Sequence, residues 1–142
     1  MVAAAPSNGD IRRARIDYSE SRVSGVIDFV ALERPDARVV MGFDLRWQDA
    51  IQYNYGGVLV FASARRPGGF ARFGGDPSCQ VEHHIDYARD RVTLSLPSRC
   101  LDDPPWIQAF AAASVRARYA GAAAWLDSAP DAFHYGRRIP RG

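Results

Sequence analysis

The chain has no lysine: all 18 of its basic residues are arginine, balanced by 16 carboxylates to a net charge of +2. The uniform use of arginine is a codon signature of a GC-rich genome and not a choice of guanidinium chemistry at each site. No basic block forms either. Arg12, Arg13 and Arg15, Arg65–Arg66 and Arg137–Arg138 are short clusters that read as solvated strand or tail residues. None is interleaved with aromatics as a single-strand binding face would be, so nucleic acid is not an expected partner. No stretch approaches the roughly 20 uninterrupted apolar residues of a membrane span. The Gly-x-Ser-x-Gly elbow, the His-Glu-x-x-His pair and the phosphate loop are all missing, so nothing marks the chain as an enzyme.

Metal ligands are scarce. His83 and His84 are adjacent, and a strand sends neighbouring side chains to opposite faces, so the two do not share one ion. A site with Glu82, Asp86 or His134 would match no recognised zinc spacing. Asp102–Asp103, or Asp127 with Asp131, read as solvated loop carboxylates or a structural Ca²⁺ site before acid–base catalysts. No metal and no cofactor is expected.

Only two cysteines are present, Cys79 and Cys100, and they lie almost symmetrically about the turn-like segment Tyr87-Ala88-Arg89-Asp90-Arg91. With Gln80 to Tyr87 and Arg91 to Leu96 as the arms of a hairpin, residue 79 falls opposite residue 99 or 100, within reach of a disulfide. A bond closing a loop of about 20 residues contributes on the order of 3 kcal/mol and persists in an oxidising compartment. The opening Met1-Val2-Ala3-Ala4-Ala5-Pro6-Ser7 is no intact signal peptide, but its small residues are like those around a leader cleavage site. A secreted protein carrying no leader in this chain is the expectation, with a cytosolic protein bearing an alanine-rich tail as the alternative.

Length fits one domain, expected over residues 9–135 between an amino-terminal tail (1–8) and a carboxyl-terminal tail (136–142). Frequent Gly and Pro, together 21 residues, punctuate short alternating apolar runs, which is how an all-β domain reads. Ala14, Ile16 and Tyr18 mark a first strand; Val23, Gly25, Ile27, Phe29 and Ala31 mark a second; residues 38 to 45 make a third. Ile51, Tyr53 and Tyr55, then Gly56-Gly57, then Val58 to Ala62 form two strands or one with a glycine bulge. Phe70 to Phe73 is a short strand. Residues 106–119 fit both periods. A helical stripe runs through Trp106, Ile107, Phe110, Ala111, Ser114, Val115 and Tyr119, while strand alternation puts Ile107, Ala109, Ala111, Ala113 and Val115 on one face.

Gly9-Asp10-Ile11, Phe43-Asp44-Leu45, Asp90-Arg91-Val92, Pro97-Ser98-Arg99-Cys100-Leu101 and Trp106-Ile107 together resemble a group of exported actinobacterial β-sandwich proteins, over about residues 9 to 131. That group is loosely similar to the DOMON and family-9 carbohydrate-binding-module sandwiches. In place of the group's acidic, glycine-containing turn after the third strand, this chain has Arg46-Trp47-Gln48. The resemblance implies a strand at 106–119 and an antiparallel two-sheet β-sandwich of jelly-roll or immunoglobulin type. A sandwich with one carboxyl-terminal helix is the alternative.

Aromatic and polar residues mix at Trp47, Gln48, Asp49, Gln52, Tyr53, Asn54 and Tyr55, as they do where sugar rings stack and amides or carboxylates bond hydroxyls. Trp47, Asp49, Gln52, Tyr53 and Tyr55 are the candidate ligand-binding residues; the same aromatics also suit a core or rim, as do Trp125 and Tyr135. The functional expectation is a non-catalytic exported module that binds an extracellular glycan or protein. The alternative is a self-associating subunit of a cell-surface layer, filament or envelope complex, packed through the alanine face Ala109, Ala111 and Ala113.

Overall fold

The computed structural model describes residues 10–35, 38–116, 124–129 and 135–142. The expected tail at 1–8, Tyr119, Asp131 and His134 lie outside the described residues, as do the side chains of Trp125 and Asp127. Among the described residues ten strands run in chain order: β1 (Ile11–Tyr18), β2 (Arg22–Phe29), β3 (Arg38–Gln48), β4 (Tyr53–Ala62), β5 (Phe70–Phe73), β6 (Glu82–Asp86), β7 (Arg91–Pro97), β8 (Trp106–Arg116), β9 (Ala124–Ala129) and β10 (Ile139–Pro140). Two antiparallel sheets form, one ordered β1-β2-β7-β6 and the other β10-β8-β3-β4-β5, with β9 also paired to β8. This is the expected all-β sandwich. Among the described residues no helix is long and apolar enough to cross a membrane.

Segment 106–119 resolves as strand over its described part. Local alanine propensity favours helix, but β3 pairs with β8 from Arg38↔Arg116 to Arg46↔Gln108 and β9 takes the other side from Ala111 to Arg116. Two ladders outweigh intrinsic preference. Ala109, Ala111 and Ala113 then point inward and are buried. The surface through which self-assembly was expected is therefore core.

The Gly56-Gly57 pair neither ends a strand nor makes a bulge against β3, because the β3–β4 register is unbroken from Val39↔Ala62 to Gln48↔Tyr53. Gly56 instead leaves room for Phe73, whose ring would lie 2.5 Å from an added Cβ. The same relation joins the two sheets at Gly25 of β2, where Phe43 from β3 fills the space a Cβ would need, at 2.2 Å. Around these contacts Ile27, Leu45, Val60, Phe73, Val92 and Ile107 are fully buried.

Cys79 and Cys100 are joined, with Cα atoms 6.1 Å apart. Both lie outside the strands of the hairpin: the β6–β7 register of Glu82↔Ser95 extrapolates residue 79 to residue 98, and a single 3-10 turn at Ser98–Leu101 carries Cys100 back into reach. The hairpin tip is useful in its own right. Asp90, at φ 57°, accepts the Leu32 amide on its carboxylate at 2.7 Å and the Phe29 amide on its carbonyl at 2.8 Å, which holds the exit from β2.

Residues 136–142, expected as a tail, are docked. Ile139 pairs with Ile107, the Arg141 amide donates to the Pro105 carbonyl at 3.0 Å, and the Arg141 guanidinium lies 3.3 Å from Asp103. Buried Ser98 donates to Asp103 in turn, at 2.5 Å.

Replacing both cysteines with serine should lower unfolding free energy by roughly 2–4 kcal/mol while leaving the β-sheet circular dichroism intact. Urea titration of oxidised wild type against the variant measures this, and an unchanged midpoint would refute it. Gly25→Ala should cost about 1–3 kcal/mol by overpacking Phe43, read from the same titration.

Candidate functional site

Strand alternation gives the second sheet an outer face on which even positions of β3 and β8 meet odd positions of β4. Gln48 pairs with Tyr53, Arg46 with Tyr55 and with Gln108, and Asp44 with Gly57 and Phe110. Tyr53 and Tyr55 point to solvent and are 44% and 59% exposed. Trp47 lies one position out of phase with Arg46 and so faces inward, 8% exposed and 6.1 Å from the Phe73 ring centroid. It belongs to the core and not to this surface.

Asp49 and Gln52 shape the β3–β4 turn. The Asp49 carboxylate accepts the amides of Ile51 at 2.8 Å and Gln52 at 2.9 Å, and the Asn54 side-chain amide at 3.2 Å. These donors, the Ile51 amide foremost, hold its pKa below the usual carboxylate range. With its lone pairs engaged this way, Asp49 sets the hairpin that aims Tyr53 and Tyr55. Gln52 is exposed in the same turn.

Residues far along the chain complete the face. Arg46 donates through Nε and an Nη to Gln108 Oε1 at 3.0 and 2.8 Å, and its guanidinium stacks 5.2 Å from the Tyr53 ring centre and 4.5 Å from that of Tyr135. Tyr135 packs on Phe110 at 5.0 Å and on Tyr55 at 6.2 Å. It lies over the outer face and does not seal the core. Gln108 donates to the Gly136 carbonyl at 2.9 Å, which pins the segment that carries Tyr135. Trp106 meets the Tyr53 ring edge at 6.4 Å. Arg46, Gln108, Trp106, Phe110 and Tyr135 were not among the sequence candidates; only the register of three strands brings them beside Tyr53 and Tyr55.

Asp44 sits in the middle of this face. Its carboxylate makes no hydrogen bond or ion pair with the described residues, and an added Cβ on Gly57 would come 3.4 Å from it. Burial raises its pKa. Burial, reinforced by the Asp44 charge, likewise raises that of Tyr135. An acceptor set among rings, beside a guanidinium held by a glutamine, can take hydrogen bonds from hydroxyl donors while aromatic faces carry apolar C–H surface.

The histidines lie elsewhere. His83 Nε2 is 2.9 Å from the Gly68 carbonyl, and His84 is exposed on the first sheet. No three His, Cys, Asp or Glu side chains gather as a metal site among the described residues. No family model and no curated protein sequence matches this chain.

Because burial raises the Asp44 pKa, the folded chain holds that proton more tightly than the unfolded chain does. Its contribution to stability is therefore fully present below the unfolded carboxyl value of about 3.9 and is lost as pH rises through the raised folded value. Asp44→Asn should make the protein more stable at neutral pH, with the difference shrinking on acidification. Urea titrations at neutral and acid pH measure this; a less stable variant at neutral pH would contradict the assignment.

Proposed function

We propose that this domain is a non-catalytic binding module, acting in an oxidising extracellular compartment, whose ligand is carbohydrate. The observation that carries the reading is the pair Tyr53 and Tyr55, projecting from one strand into solvent with Arg46, Gln108 and Asp44 between and beside them. Sugars present apolar C–H faces ringed by hydroxyls. Exposed tyrosine rings cover the first, and the carboxylate and guanidinium bond the second. Arg46, Trp106 and Tyr135 hold the two tyrosines in place while much of each ring stays open to a ligand.

The Cys79–Cys100 bond supports the compartment, since such bonds persist where thiols are not kept reduced. The resemblance to carbohydrate-binding-module sandwiches favours the same ligand class. A non-catalytic role fits the outer face: its one described carboxylate, Asp44, has no second carboxylate beside it to make an acid–base pair.

Titration of intrinsic fluorescence with soluble polysaccharides should report saturable binding, because Trp106 abuts Tyr53. Tyr55→Ala should weaken that binding about tenfold, equivalent to roughly 1.4 kcal/mol, with thermal unfolding confirming that the variant folds. Absence of binding to any polysaccharide at millimolar sugar, by fluorescence and calorimetry alike, would end the carbohydrate reading.

A further inference from the structure

The two outer faces of the sandwich carry their arginines in different company. On the β1-β2-β7-β6 sheet, four ion pairs bind the charges locally: Arg13–Asp28 at 3.2 Å, Arg91–Asp28 at 2.7 Å, Arg15–Asp17 at 3.6 Å and Arg22–Glu82 at 3.7 Å. Arg91 holds the Asp28 pKa down, chiefly through its hydrogen bond. On that side each of these four arginines has a carboxylate partner, with Asp28 serving two of them.

On the second sheet the arginines stack on rings instead. Arg66 lies 5.1 Å from the Phe70 ring centre, Arg72 5.1 Å from that of Phe61, and Arg138 4.1 Å from that of Trp106, in addition to Arg46 between Tyr53 and Tyr135. Phe61 and Phe70 are themselves stacked at 5.2 Å. Arg66, Arg72 and Arg138 are exposed and have no carboxylate partner among the described residues. Asp44 is the one described carboxylate on this face. From the Val40–Phe61 row to the Gln48–Tyr53 row the face is eight residues long, about 27 Å at strand rise.

We propose that this face binds an acidic polysaccharide, its oxyanions bridged by the guanidinium forks and its sugar rings resting on the aromatics that hold those forks flat. The proposal rests on the carbohydrate reading above and specifies the ligand's charge. Stacking on a ring orients a guanidinium and leaves the in-plane N–H donors of Arg66 and Arg72 free for bidentate capture of a carboxylate, sulfate or phosphate, while Arg46, which gives Nε and an Nη to Gln108, keeps only its remaining N–H groups. Two arginine–aromatic clusters stand at opposite ends, with Leu59 and the small residues Gly42 and Gly57 between them, so the footprint is long and flat, as a polymer requires. Asp44, in the middle of the face, can accept hydrogen bonds from sugar hydroxyls that lie between the charged groups of such a polymer.

The test compares polygalacturonate with the same polymer fully methyl-esterified, by calorimetry on the intact disulfide-bonded chain. The acid form should bind at least about tenfold more tightly than the ester, and its affinity should fall about tenfold between roughly 20 mM and 300 mM salt. Arg66→Gln with Arg72→Gln should weaken binding of the acid form by about tenfold or more, while Arg13→Gln with Arg15→Gln, which removes equal charge from the opposite face, leaves it unchanged. Thermal unfolding of both variants confirms that they fold. Equal, salt-insensitive binding of ester and acid would overturn the acidic specificity and leave the carbohydrate reading standing. No binding of either polymer would overturn the acidic-polysaccharide proposal, while the carbohydrate reading falls only if the wider set of soluble polysaccharides also fails to bind. Equal losses from the two double variants would overturn the placement on this face, and tighter binding of an oligothymidylate than of polygalacturonate would replace the polysaccharide by nucleic acid.

Discussion

Strand β3 is bonded on both sides, to β4 over ten residue pairs and to β8 over nine, and its register against those neighbours decides which residues are core and which are surface. Val39, Met41, Phe43, Leu45 and Trp47 enter the sandwich; Asp44, Arg46 and Gln48 leave it. A slip of one residue would exchange the two sets, burying an arginine and an aspartate while exposing five apolar side chains. At roughly 1.5–3 kcal/mol for each large apolar side chain buried, that alternative lies far above the native arrangement. The outer face is thus a by-product of core packing held in place by it. Phe43 reaching into the gap at Gly25 locks the register to the opposite sheet as well.

Charge is handled in two ways on one small domain. The first sheet pairs arginine with carboxylate, an arrangement of small net energetic value at exposed positions that nonetheless offsets most of the charge. The second sheet pairs arginine with ring faces, which keeps the full positive charge while fixing its direction. With a net charge of only +2 over the whole chain, this division gathers on one face arginines without carboxylate partners among the described residues. Half-buried Asp44 in that setting costs stability at neutral pH.

The end of the sandwich that carries the β3–β4 turn is closed by covalent and polar links, not by apolar bulk alone. Cys79–Cys100 ties the approach to β6 to the 3-10 turn after β7. Near it, Tyr18 donates to the Pro104 carbonyl at 2.5 Å, Ser98 donates to Asp103, and Arg141 reaches Asp103 and the Glu20 carbonyl. The last residues of the chain therefore hold the first hairpin's turn. The same docking fixes the segment through Gly136, where Gln108 links it to Arg46 and sets Tyr135 over the outer face.

Much of the fold was legible in the sequence because period-2 alternation and turn residues are local signals: β1, β2, β5, the β6–β7 hairpin and its cystine all follow from residues within about 20 positions of one another. Alternation says that Trp47 and Tyr53 lie on opposite faces of a hairpin once its register is known, but it does not say which face is inside. Segment 106–116 had two periods available, and pairing with β3 and β9 chose between them. The site is a stronger case. Tyr53 and Tyr55 were visible as neighbours in sequence, whereas Arg46, Trp106, Gln108 and Tyr135 join them only through the order β8-β3-β4 and the docked carboxyl-terminal segment. The sequence by itself determined strands, turns and a disulfide; tertiary structure alone decided sidedness and the gathering of arginine onto aromatic rings, because burial is a property of what packs against a face and not of the residues that form it.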